Sequence, residues 1–189
     1  MSTICSMIQG CGPYNQFRVD IVKSKDFPPS RAIRIGTSAF SAPAAGTSKD
    51  SAFGPDGDYI TPENTGIMVA HAVSAALKNV PNVILAERTP PDSISGRQNP
   101  PSIGNGPEVL PHAEALAMDA LLTGDVTSFQ RWFDMAGRGG IVDFDARLID
   151  AVSSETLFSM TCTAVRRGRT PEELAKELAA QAIIQLLKR

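Results

Sequence analysis

The fragment best suited to chemistry is His112-Ala113-Glu114. A histidine and a carboxylate two residues apart at a helix start can serve one metal ion together. The neutral imidazole ligates zinc, and the carboxylate moves protons to and from the bound water. Pro111 and a Gly/Pro/Asn-rich stretch precede the fragment and an apolar-periodic segment follows, which places it where a helix opens. Cys162 is the candidate further ligand. A plainer reading stands beside this one: His112 and Glu114 are solvated residues of a first helical turn, where an acidic side chain suits the dipole. His71, inside an alanine-rich helical pattern, reads as a half-buried histidine rather than a ligand. Gly36-Thr37-Ser38 follows a strand pattern but has no Walker lysine, so it reads as a polar turn.

His-x-Glu is also the first half of the zinc deaminase signature, in which Pro-Cys-x-x-Cys follows. Pro13-Tyr14-Asn15-Gln16-Phe17-Arg18-Val19 resembles the Pro-Tyr-Ser-x-Phe-x-Val segment leading into the first strand of cytidine deaminases. Glu63-Asn64 is similar to that family's Glu-Asn pair before a helix. The resemblance to the cytidine deaminase-like superfamily implies a zinc-dependent hydrolase acting on a nucleoside or similar polar ring. It assigns catalysis to Glu114, the metal to His112 and Cys162, and the small-molecule substrate to Phe17, Glu63 and Asn64. The chain departs from the pattern in one large respect: no Cys-x-x-Cys occurs, and Ser159-Met160-Thr161-Cys162 keeps the spacing with serine in first place.

The elements that must position these residues follow from composition. The chain has 189 residues, 42% of them hydrophobic and 20% charged, which is enough for one domain with one core. A net charge of −2 gives no global field toward nucleic acid, and no apolar run is long enough to cross a bilayer. Three cysteines, Cys5, Cys11 and Cys162, with no secretory-type start, point to a cytoplasmic protein without a disulfide framework.

All but one of the 14 prolines lie at or before Pro111, so the expectation is a single α/β domain in two parts. Residues 1–107 read as a small sheet with long loops, at about 41–60 and 89–107. Residues 108–189 read as helical. Strands are predicted at Phe17–Val22, Ala32–Ile35 and Asn82–Ala86, and a helix after Thr61-Pro62. Four helices are predicted across Glu108–Leu122, Asp125–Gly137, Asp143–Val152 and Ser154–Arg167, the second on the spacing of Phe129, Trp132 and Phe133. A last helix is predicted from Thr170-Pro171-Glu172-Glu173, with Lys188-Arg189 as its basic end. A second functional reading uses this helical half without catalysis, as a homo-oligomeric assembly or protein-interaction module.

Overall fold

The computed structural model describes residues 3–9, 15–25, 27–48, 58–86, 118–135 and 137–188. The element order is β1 (Thr3–Gln9), β2 (Asn15–Lys23), β3 (Ile33–Thr37), β4 (Gly46–Ser48), β5 (Asp58–Thr61), α1 (Thr65–Leu77) and β6 (Val83–Leu85). There follow β7 (Ala120–Asp134), β8 (Gly137–Asp150), β9 (Thr156–Arg167) and α2 (Pro171–Leu187). One nine-stranded mixed sheet runs β1-β2-β9-β8-β7-β3-β6, and β5, paired with β4, adds to the far end of β7. The pairs are antiparallel except β3 with β6 and β3 with β7.

The mixed α/β class holds, but the division into a sheet half and a helical half does not. Residues predicted helical from Asp125 to Arg167 form the three longest strands, and of the Glu108–Leu122 helix the described end, Ala120–Leu122, is strand as well. The reason lies in a two-residue period. In β9, Phe158, Met160, Cys162 and Ala164 are buried while Ser159, Thr161 and Thr163 point the other way. In β8, Phe144, Ala146 and Leu148 alternate with Asp143, Asp145 and Arg147. A helix would scatter both sets around its circumference; a strand sorts them onto two faces.

The predicted strands in the first part are present as β2, β3 and β6. The stretch expected as a loop at about 41–60 contains β4 and the start of β5, and the 89–107 loop lies outside the described residues. Thr61, expected to cap the helix, ends β5. The helix begins at Thr65 instead, after Asn64 in the left-handed region at φ 58°. Gly36 and Thr37 belong to β3 rather than to a turn. The Thr37 hydroxyl lies 2.9 Å from that of Ser74, which joins the strand to α1.

The two helices of the described residues lie on one face of the sheet and build the main core against it. Leu174, Leu178 and Leu186 of α2 and Val69, Val73 and Leu77 of α1 are fully buried there. Each such side chain contributes roughly 1.5–3 kcal/mol relative to exposure. The start of α2 carries the expected capping box: Thr170 Oγ1 accepts from Glu173 N–H at 3.3 Å, and the Glu173 carboxylate accepts from Thr170 N–H at 3.0 Å. At its other end the compensating cation comes from β2, because Lys23 Nζ donates to the carbonyls of Leu186 and Lys188 at 2.9 and 2.8 Å. These are carbonyls that a helix end leaves without an intrahelical partner.

Candidate interaction surface

The alternation that makes the core on one face makes a different surface on the other. Across β2, β9, β8 and β7, the register aligns Val19, Cys162, Phe144 and Val126 beneath the helices. One residue on, it aligns Asp20, Thr161, Asp145 and Asp125 on the open face. Asp143, Thr163 and Arg18 form the neighbouring row. The threonines steady the carboxylates: Thr161 Oγ1 donates to Asp145 at 2.5 Å and Thr163 Oγ1 to Asp143 at 3.1 Å. Ser41 donates to Asp125, and Arg18 pairs with Asp20 at 2.5 Å. Asp125, Asp143 and Asp145 make no ion pair with a cation among the described residues, and Asp125 stands directly opposite Asp145. Like charges in that relation are unfavourable. Beyond the carboxylates the same face carries an apolar border of half-exposed Leu121 and Ile149, with Val22 40% exposed.

The other end of the β7–β8 hairpin is built differently. Tyr59, Trp132, Ile141 and Val165 form a second, separate buried cluster on the open-face side. Gly139 is required beside it, since a Cβ there would lie 2.3 Å from the Trp132 ring. The Arg167 guanidinium stacks 5.1 Å from that ring's centre and pairs with Asp134 at 3.0 Å. On the helix side, Gly140 lets the start of α2 sit against the strand: a Cβ would lie 2.7 Å from the Pro171 nitrogen.

Between the hairpin end and this helix start lies a cleft of about 230 Å³ lined by Arg131, Phe133, Arg138, Gly168, Arg169 and Glu173, among others. Arg131 pairs with Glu172 at 2.5 Å, and Arg169 pairs with Glu177 at 3.3 Å. Burial alone would raise the Glu172 carboxyl, but hydrogen bonds from its own backbone N–H, Arg131 and Thr170, with the Arg131 charge, hold it below its ordinary value. The Arg138 guanidinium makes no ion pair with a described residue, and Arg138 is exposed. Around it the apolar surface is large: Phe133 is 43% exposed, Ile60 39%, and Met135 fully exposed at the turn. Arg138 stands across from Phe133, and Ile60 across from Arg131, so these side chains share one side of the hairpin tip.

Of the residues singled out from the sequence, those that are described fall elsewhere. His112 and Glu114 lie outside the described residues. Phe17 is half-buried on β2 and packs against the main core, while Glu63 and Asn64 are exposed in the turn before α1. Cys162 is fully buried in the sheet; burial first, and the nearby carboxylates of Asp145, Asp143 and Asp20 second, push its thiol far up. It is therefore a neutral packing group of the core. Among the described residues no group of three or more His, Cys, Asp or Glu is placed to hold a metal. His71 is exposed on α1, not half-buried. The tip residues were missed because Phe133 was assigned to a helix face. The acidic rows left a readable signal, the alternation Asp143-Phe144-Asp145-Ala146-Arg147.

The chain matches no family model and no curated protein. Its fold is similar to that of solved structures at low identity. PelC from Paraburkholderia phytofirmans, a dodecamer, is 14% identical with a TM-score of 0.58, covering 90% of this chain and 97% of that one. Lipoprotein GNA1162 from Neisseria meningitidis is 17% identical with a TM-score of 0.51, over 82% and 97% of the two chains. Protein XCC0632 from Xanthomonas campestris, described by family model DUF330, is 11% identical with a TM-score of 0.50, over 87% and 90%. None of these is a deaminase or a zinc hydrolase, so the cytidine deaminase-like resemblance and the hydrolase function it implied are overturned, and Pro13–Val19 and Glu63-Asn64 are local likenesses without the family's fold. What this chain shares with these structures is the overall fold.

Proposed function

We propose that this chain is a non-catalytic subunit that associates with copies of itself. The observation that carries the reading is the tip of the β7–β8 hairpin, where Phe133, Met135 and Ile60 stand in solvent side by side around Arg138. Exposed apolar groups gathered at one projecting feature and set among arginines have the composition of an interface centre. The fold it shares with PelC, which forms a dodecamer, supports association into a closed assembly. Interaction through a sheet face and a hairpin tip asks for no cofactor and no small-molecule substrate.

Sedimentation velocity or light scattering from low micromolar to high concentration tests the reading. The expected result is a discrete species at a multiple of the 20.1 kDa chain mass, dissociating on dilution. A single species at the chain mass across the whole range overturns it.

A further inference from the structure

We infer that association is head-to-tail, with the hairpin tip of one copy seated on the open face of the β7–β8–β9 sheet of the next. The inference rests on the self-association proposed above. The two surfaces lie on opposite sides of the sheet: Arg131 and Phe133 project on the helix side, and Asp125, Asp143 and Asp145 on the other. They are complementary in charge. The tip offers the exposed guanidinium of Arg138, which has no ion-pair partner among the described residues. The open face offers three carboxylates that, among the described residues, accept hydrogen bonds from hydroxyls and pair with no cation, two of them directly opposed.

They are complementary in apolar surface as well. Phe133, Met135 and Ile60 on the tip match the border of Val22, Leu121 and Ile149 on the face. An arginine delivered to Asp125 and Asp145 relieves a repulsion that the isolated chain retains. Because the two patches lie on opposite sides of the sheet, a copy seated on one leaves the other open, so the contact is heterologous and repetition closes a ring or extends a filament.

Charge reversal with mixing tests the inference. Arg138→Glu and Asp145→Arg each place like charges in every contact, so each variant alone should raise the dissociation constant of the assembly at least tenfold. An equimolar mixture restores attraction at every contact, with the two chains alternating, and should reassemble into species larger than a pair. Met135→Glu, at a fully exposed position that the fold does not use, provides a variant that cannot fail through misfolding and should also weaken assembly. An assembly of unchanged size and dilution profile in all three variants overturns the head-to-tail contact while leaving self-association standing. A wild-type chain that is monomeric throughout overturns both. Weakening by the single variants with only heterodimers on mixing overturns the ring or filament geometry in favour of a symmetric pair. Rescue of the Asp145 face by a small added cation in place of the partner's tip would show that the face serves an ion and not a second copy.

Discussion

The two faces of the β7–β8–β9 sheet come from the same strands, residue by alternate residue along Asp143–Leu148 and Phe158–Ala164, and they obey different physics. Beneath the helices, Phe144, Cys162 and Leu148 are fully buried with interior packing on every side. One residue along, Asp145, Thr161 and Arg147 lie on the open face, where the Thr161–Asp145 hydrogen bond has a small net worth. The first face determines whether the chain folds; the second leaves chemistry free for contacts outside it. Stability and recognition are thereby separable in this protein at a spacing of one residue.

The largest expected effect tests that separation directly. Phe144→Ala should cost about 3–5 kcal/mol in chemical denaturation through the cavity it leaves, whereas Thr163→Ala, from the open face, should cost under about 1 kcal/mol. Comparable losses for the two would break the comparison.

A smaller effect sharpens it at the hairpin. Gly140→Ala forces a Cβ against the start of α2 and should cost about 1–3 kcal/mol as an overpacked contact; a neutral result would mean that the helix start is not seated there. Thr170→Ala removes one half of the capping box and should cost about 1 kcal/mol, read as a drop in the denaturation midpoint with an unchanged slope.

Among the described residues, Glu172 and Asp150 contribute to the pH dependence. Glu172 is held below its ordinary value as described above. For Asp150, burial opposes ionisation, but hydrogen bonds from Ser153 and Val152, with the Arg31 charge, lower it. A group depressed in the folded state stabilises above its unfolded pKa, and that contribution is lost as pH falls through the folded one. The midpoint should stay level from pH 7 to about 5 and fall below about 4. A midpoint that instead rises on acidification would contradict the sign.

The smallest effect falls on the open face. Asp125→Asn removes one of two opposed charges and should raise monomer stability by a few tenths of a kcal/mol while weakening assembly. A stability loss there would show that Asp125 serves the fold.

Some of this was legible in the sequence. Phe17–Val22 alternates cleanly and forms β2; Thr170-Pro171-Glu172-Glu173 states a helix start in residue types alone and is one. These signals are local, satisfied by groups within a few positions. The long strands were misread for a local reason as well. A β-bulge between Val126 and Ser128 shifts the phase of β7, so that Val126 and Phe129, three apart, share one face as they would in a helix. At the hairpin end Trp132, Ile141 and Val165 bury on the opposite side from Phe129 and Val142, so apolar residues follow one another and the alternation disappears from the sequence.

The sequence by itself therefore determined the capped helix, the mixed α/β class and the strands β2, β3 and β6, because each is specified by side chains close in the chain. Only the tertiary structure decided that Phe129, Trp132 and Phe133 go to three different places — the main core, the second cluster and solvent — since burial depends on what the rest of the chain brings to each side of the sheet. It likewise decided that Asp125 and Asp145, twenty residues apart, stand opposite each other, while Arg138 remains exposed at the hairpin tip.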